Sequence, residues 1–485
     1  MSVRRSLRFS FIEKYATFIF SIITVVILSR LLTPAQTGVF AVASGLTTVA
    51  QIVRDLGVGT YLLQKKDLTK EQLRSAFTIA LILGVGFCLF FALASGVIAG
   101  FFEQPDLRGI VVILAMNFLL TPFGSVGIAL LRRRMEFGPI MRIGIANSLV
   151  HSITSVVLAW LGFGAASMAW AAVTGVIANI VTAQIYMRGE VFMRPALKEW
   201  KPIFHFGFFA TLSSVLNEVF NRLPEITVGR VLGVAATGYY SRGNSFVTLF
   251  NQAAMDAIWP VATSGLAQLH REERLMPENY RHLIAFVTGF AWPMLAVLAL
   301  LAQPIILFVF GSQWQPSIPV GKLLCLAAAL FLVGRLNNAV LNATGRVVLA
   351  FRAQLAVVAV QLALLLVVSR LGITKVALTA IAVSVIYSFI TTFQVVGLLR
   401  VNRRELLSTL AHSALIAACT AAPIVICEVS GLNDDAVGSV TYYLLSAVEG
   451  GVAVGVWVLM LLLTRHPLMG ELKNAVASAR SSLKI

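Results

Sequence analysis

The chain has 485 residues, 58% hydrophobic and 12% charged, with a formal net charge of +17 at pH 7. A mean hydropathy of +0.87 excludes a large aqueous domain, and with it a separate catalytic module, because the polar stretches between apolar runs reach only about twenty residues. The basic excess does not indicate nucleic acid, since Lys and Arg are dispersed among short loops, where the charge bias of membrane topology explains them.

The start of the chain, with Arg4, Arg5 and Arg8, resembles the basic end of a signal peptide. The apolar run behind it is too long and lacks a small-x-small cleavage site, so it reads as a retained first span. Runs of this kind recur beyond the ~18 residues needed to cross a bilayer. The pattern predicts an all-α integral membrane protein of 14 transmembrane helices. The first six spans are Phe11 to Leu32, Thr37 to Leu63, Ser75 to Phe102, Ile110 to Leu131, Ile140 to Leu161 and Ala165 to Met187. The next six are Phe204 to Val228, Val234 to Leu266, Leu283 to Phe310, Val320 to Leu341, Val347 to Leu371 and Val376 to Leu399, and Leu407 to Ile426 and Val440 to Leu463 close the series.

Gly96-x-x-x-Gly100 and Gly451-x-x-x-Gly455 have the small-residue spacing that lets helices approach closely in lipid. Between the sixth and seventh spans, Ala196 to Lys201 follows Pro195 and reads either as a short interfacial helix anchored by Trp200 or as an ordinary loop. Cys88, Cys325, Cys419 and Cys427 lie in or beside apolar stretches and read as small core residues, with no zinc spacing or disulfide framework.

Threading the loops through these spans puts 28 of the 38 Lys and Arg on one side and 7 on the other, with Arg54, Arg242 and Arg335 inside spans. By the positive-inside rule both termini are expected in the cytoplasm.

Residues 30 to 38 (RLLTPAQTG) align with residues 230 to 238 (RVLGVAATG), matching Arg30 with Arg230, Thr37 with Thr237 and Gly38 with Gly238. Each segment ends an outward span and opens an inward one, six spans apart, so the repeat is parallel. The expected architecture is two six-helix lobes related by a pseudo-two-fold axis along the membrane normal, plus two C-terminal helices. Residues 1–190 form the N-lobe, 191–203 a cytoplasmic linker, 204–400 the C-lobe, and 401–485 the last two spans and tail. Two lobes without soluble domains describe a secondary transporter, and no phosphate-cradling G-x-x-x-x-G-K-[ST] occurs.

The segments S-R-L-L-T-P-A-Q-T-G-V-F at 29 to 40, D-L-G-V-G-T-Y-L-L-Q at 55 to 64, G-Y-Y-S-R-G at 238 to 243, F-G-S-Q-W at 310 to 314 and N-A-T-G-R at 342 to 346 resemble the polysaccharide-transporter branch of the MATE-like flippase superfamily. The resemblance runs across the first twelve spans. It implies a Wzx-type flippase that moves an undecaprenyl-diphosphate-linked oligosaccharide across a bacterial inner membrane, with a V-shaped pair of lobes around a cationic cavity. It also implies membrane lipid and polysaccharide-assembly membrane proteins as surroundings, and no enzymatic step.

A lipid diphosphate crossing hydrocarbon needs cations at membrane depth, and Arg matches phosphate geometry without deprotonating. Arg54, Arg222, Arg242 and Arg335 qualify by position, each with an alternative structural reading as one half of an ion pair; Glu218 and Glu225 flank Arg222 on its helical face. Coupling to Na+ or H+ requires an acid within the spans, and Glu218, Asp55 and Asp256 are the candidates, Glu218 being preferred for its depth. Neighbours on a helix point about 100° apart, so Asp55 and Arg54 are not an obligatory pair. Gln51, Asn217, Asn244, Asn251, Asn337, Asn338 and Asn342 suit sugar hydroxyls and suit joining helices equally. His151, His205 and His412 stand apart from one another, so neither a metal nor a cofactor is expected. An ion-coupled drug or cation exporter of the same fold is the alternative, although it favours an anionic cavity. A membrane polysaccharide polymerase would need larger outward loops than Phe102 to Arg108, Gly311 to Pro319 or Glu428 to Gly438 provide.

Overall fold

Long apolar runs punctuated by Pro, Gly and capping hydroxyls dictate long helices, and a computed structural model of the chain describes residues 3–65, 67–187, 195–272, 274–430, 438–464 and 466–470. The first helices are α1 (Val3–Leu31), α2 (Pro34–Asp55), α3 (Val58–Gln64), α4 (Lys70–Phe101), α5 (Asp106–Leu120), α6 (Pro122–Arg133), α7 (Phe137–Trp160) and α8 (Ala165–Tyr186). After the linker come α9 (Trp200–Val231), α10 (Val234–Phe250), α11 (Asp256–Arg271), α12 (Pro277–Leu300) and α13 (Ala302–Phe310). The last are α14 (Ser317–Ala343), α15 (Val347–Val368), α16 (Ile373–Leu399), α17 (Arg403–Val429) and α18 (Val440–Leu463).

Local chemistry places several boundaries. Thr33 with Gln36 and Thr69 with Gln72 form capping boxes that start α2 and α4, and Pro34 and Pro277 occupy first-turn positions where no N–H is required. The expected fourth span divides at Thr121 into α5 and α6, bent by 48°, because Pro122 brings no N–H to the ladder there. A π turn over Asn251–Met255 interrupts the expected eighth span.

Among the described residues, eleven helical stretches are long and apolar enough to cross a membrane, and the bent pair α5–α6 makes twelve. The expected seventh and eighth spans are helical as α9 and α10–α11 but are not among the twelve. The side chains at 202 and 206–210 of α9 lie outside the described residues, and the π turn shortens α10.

Two compact units are present, Met1–Ser241 and Arg242–Ile485. The first includes α9 and the start of α10, because α9 packs along α2. Its core is built around Val42, Ala43, Val111, Phe118 and Ala169, with Phe118 stacked on Phe87 and Phe91 at 5.7 and 5.4 Å between centroids. α1 ends at Leu31 and α2 opens at Pro34; α9 ends at Val231 and α10 opens at Val234, an offset of two hundred residues at both boundaries. In the second unit α14 packs against α16 and α12. The Tyr280 hydroxyl donates to Asn337 Oδ1 at 2.6 Å, and the Asn337 amide donates to Thr391 and Thr392 at 3.2 and 2.8 Å. α17 and α18 attach to α12: Thr288 donates to Ser413 at 2.8 Å and the Trp457 indole to the Gly289 carbonyl at 3.0 Å.

Two local expectations change. A Cβ on Gly96, Gly100, Gly451 or Gly455 would meet nothing within 4 Å, so these glycines mediate no close helix approach among the described residues. The stretch at Ala196 is a docked loop, not an interfacial helix: the Ala196 and Glu199 amides donate to the Thr78 and Ser75 hydroxyls of α4, and helix begins only at Trp200. Those hydroxyls accept from backbone N–H groups in place of water.

Candidate functional site

Arg54 is 3% exposed, in the last turn of α2. The helix stops one residue later, since Leu56 (φ 40°) and Gly57 (φ 59°) both take left-handed backbone. Arg54 Nη2 donates to Asp55 Oδ1. Helix geometry does not oblige these neighbours to pair, and they pair here at the end of α2, which runs to Asp55. Arg54 Nε and Nη1 have no hydrogen-bond partner among the described residues.

Asp55 lines a cavity of about 610 Å³ inside the first unit, walled by parts of α2, α3, α6, α8 and α9. Among the described residues its other charged wall residue is Arg132, and Thr60, Ser125, Asn179 and Ser214 add neutral polar groups. Gly124 permits the Asn179 position, because a Cβ there would lie 2.9 Å from Asn179 Oδ1. Thr211 also lines the wall, 8% exposed, and its hydroxyl has no partner among the described residues. Composition alone counts Arg132 as a cytoplasmic loop charge. The signal that it belongs to a cavity is the Thr121-Pro122 break, which redirects α6.

Further along α9, Arg222 Nε donates to Glu218 at 2.8 Å and Nη1 to Glu225 at 3.3 Å. This is the pairing that the i±3 and i±4 spacing implies. Glu225, treated above only as a neutralising neighbour, is 2% exposed and is the most buried acid of the three-residue group.

In the second unit, Arg242 lies 6% exposed with its guanidinium 5.1 Å from the Phe310 ring centroid and 4.6 Å from that of Trp314. The segments at 238 to 243 and 310 to 314 thus meet through one cation–π box. Arg335, half-buried, stacks over Trp259 at 4.3 Å. Asp256 opens α11, but its side chain lies outside the described residues. Of the amide candidates, Asn337 is fully buried and joins helices, whereas Asn342 donates to Asn338 at 2.7 Å near the end of α14.

Many apolar helices with guanidinium and carboxylate groups held inside them define a multi-pass membrane protein. The chain aligns with the lipid II flippase MurJ, inward closed, at a TM-score of 0.72 and 14% identity, over 95% of this chain and 99% of that one. A multidrug resistance MATE family transporter in its inward-facing conformation aligns at 0.57 and 14% identity, over 84% and 96%. At such identities the likeness is one of fold. Residues 27–319 match the family described as Polysaccharide biosynthesis protein, and the chain belongs to that family.

Its relatives include the teichuronic acid biosynthesis protein TuaB of Bacillus subtilis, 26% identical over 63% of this chain and 64% of that protein. The lipopolysaccharide biosynthesis protein WzxC of Escherichia coli is 24% identical over 68% of each chain. The succinoglycan biosynthesis transport protein ExoT of Rhizobium meliloti is 26% identical over 68% of this chain and 67% of that one.

Proposed function

We propose that the protein is a flippase for undecaprenyl-diphosphate-linked oligosaccharide repeat units, working by ion-coupled alternating access in a bacterial inner membrane. The observation that carries this reading is the cavity that Asp55 and Arg132 line, with Arg54 paired to Asp55 beside it. Arg54, 3% exposed, has two nitrogens with no hydrogen-bond partner among the described residues, and Asp55 beside it lines a space of about 610 Å³ together with Arg132. Diphosphate oxygens answer such donors strongly, and the hydroxyl and amide groups of Thr60, Ser125 and Asn179 suit sugar. Family membership and relatives named for polysaccharide biosynthesis and transport support the same substrate class.

In this reading the fold comprises fourteen spans in two six-helix repeats, 1–190 and 204–400, joined by 191–203 and followed by two more helices in 401–485. The two hundred-residue offset of helix boundaries supports the repeat, and the loop charge bias supports cytoplasmic termini. Arg54, Arg222, Arg242 and Arg335 serve the diphosphate or hold its path in shape, and Na+ or H+ acts through Glu218, Asp55 or Asp256. No bond is made or broken, and polysaccharide-assembly membrane proteins act before and after it.

The experiment is a deletion strain complemented with wild type or Arg132→Gln. The deletion should accumulate lipid-linked units facing the cytoplasm, and Arg132→Gln should restore export only partly. Single units exported normally but left unpolymerised would overturn the reading in favour of a polymerase.

A further inference from the structure

A hydroxyl on a helix satisfies itself locally by donating to a carbonyl three or four residues back. Thr47, Thr78 and Thr182 do so at 2.7 to 3.0 Å, and Thr121, on the wall of the cavity in the first unit, does so at 2.6 Å. Four other side chains on that wall do not. Thr60 of α3, Ser125 of α6, Asn179 of α8 and Thr211 of α9 have no side-chain hydrogen-bond partner among the described residues. Thr211 is the driest of them at 8% exposed, and a hydroxyl buried that far without a partner is costly to the folded chain.

Asp55 adds an acceptor to the set. Arg54 holds one of its carboxylate oxygens, the other has no partner among the described residues, and the side chain is 58% exposed. Between these groups the wall is apolar, with Ile52, Leu62, Val126 and Val176. Hydroxyls and an amide both donate and accept, whereas a carboxylate oxygen only accepts. The ligand that answers all of them carries its own O–H groups around a body with C–H faces, which describes a sugar ring. A bare diphosphate would meet the Asp55 oxygen with like charge and offer the apolar wall nothing. A space of about 610 Å³ lies within the range of small-ligand sites.

We propose that this cavity is a subsite for a sugar ring of the lipid-linked unit, read by the Thr211 hydroxyl, with the diphosphate left to the arginine side chains. The inference rests on the transport reading for the source of the sugar, but the subsite itself needs no transport.

The test is saturation-transfer NMR on the purified full chain in phosphatidylethanolamine–phosphatidylglycerol nanodiscs. One probe is the glycan released by mild acid from the lipid-linked units of the protein's own host, and the other is farnesyl diphosphate, a lipid diphosphate without sugar. Wild type should saturate ring protons of the glycan. Thr211→Val keeps the shape and removes the hydroxyl, so it should bind the glycan about three- to tenfold more weakly, the worth of one neutral hydrogen bond. Thr211→Ser should restore the affinity, and farnesyl diphosphate should treat all three proteins alike. Without ligand, Thr211→Val should melt at or above wild type, because the hydroxyl it removes has no partner to lose.

A wild type that leaves the glycan unsaturated overturns the proposal, as does a Thr211→Val protein that binds it like wild type or a Thr211→Ser protein that stays weak. Equal weakening toward farnesyl diphosphate overturns it too, and a Thr211→Val protein that melts below wild type assigns the hydroxyl to the fold instead. If Thr211→Val weakens glycan binding while a deletion strain still exports its lipid-linked units, the flippase reading fails and the subsite stands. If export stops in the deletion strain while Thr211→Val binds like wild type, the subsite fails and the flippase reading stands.

Discussion

Gly38 and Gly238 make the same contact in reciprocal order. A Cβ on Gly38 would lie 1.7 Å from the Val234 carbonyl oxygen, and one on Gly238 would lie 1.9 Å from the Pro34 carbonyl oxygen. Each glycine therefore touches the residue four before its counterpart, as a two-fold relation at this point requires.

Because both obstacles are backbone, a methyl at either glycine can be accommodated only by moving a helix. Gly38→Ala and Gly238→Ala should each cost roughly 1–3 kcal/mol, the usual penalty of overpacking. The double variant should cost less than the two together, since the first separation makes room for the second. Thermal unfolding of the three proteins checks this; a Gly238→Ala protein that melts with wild type would mean that α2 and α10 do not approach so closely.

How much of this was legible depended on whether partners were neighbours in sequence. The α1–α2 and α9–α10 junctions were visible because polar residues recur at fixed spacing, from Arg30 and Arg230 to Gly38 and Gly238. Arg222 was legible too, its acids lying on the same helical face. The Arg54–Asp55 pair was not legible, because helical periodicity fixes where Cβ atoms point and not where the far ends of two polar side chains meet. Arg242 was visible as a buried cation, but the rings that hold it come some seventy residues later. Gly96 and Gly100 satisfied a packing pattern, yet which face of a helix meets lipid is decided by tertiary structure.

The Arg54–Asp55 pair separates function from stability. Asp55→Asn removes the counter-ion of a guanidinium that is 3% exposed, whereas Arg54→Met replaces the cation with an apolar chain of similar length. Truncating one partner of a buried pair is the costlier change, but the Asp55 side chain is 58% exposed, so the expected loss is about 1–2 kcal/mol. Arg54→Met should stay within about 1 kcal/mol of wild type and still abolish export of lipid-linked units. Melting curves alongside a glycan-export assay distinguish the two; normal export by Arg54→Met would remove Arg54 from the diphosphate path.

Arg242 joins α10 to the turn after α13 through the faces of Phe310 and Trp314. Lys keeps the charge without the planar stacking surface, so Arg242→Lys should destabilise by about 1 kcal/mol and Arg242→Ala by about 2–3 kcal/mol, through lost stacking and lost packing. The order Ala, Lys, wild type in melting temperature is the expected result. If both variants melted with wild type and lost only export, Arg242 would be a phosphate ligand and not a brace.

His466, just beyond α18, is 6% exposed, packs on Gly289 of α12 and accepts from the Leu468 amide through Nδ1 at 3.3 Å. Burial, and secondarily His412, hold its pKa below the ordinary 6.5, so it is neutral when docked. A base whose folded pKa is depressed contributes stability that is fully present above its unfolded pKa and is lost as pH falls through the folded value. Leu468 and Met469, which pack with Ile416, Trp457 and Leu461, should loosen with it. Wild type should therefore lose more thermal stability between about pH 7.5 and pH 5 than His466→Gln does, because Gln carries no titrating charge. His412→Ala should shrink the wild-type loss, since removing that neighbour raises the folded pKa toward 6.5 and narrows the gap that linkage converts into stability. Identical pH profiles for wild type and His466→Gln would show that protonation of this imidazole does not govern the docking.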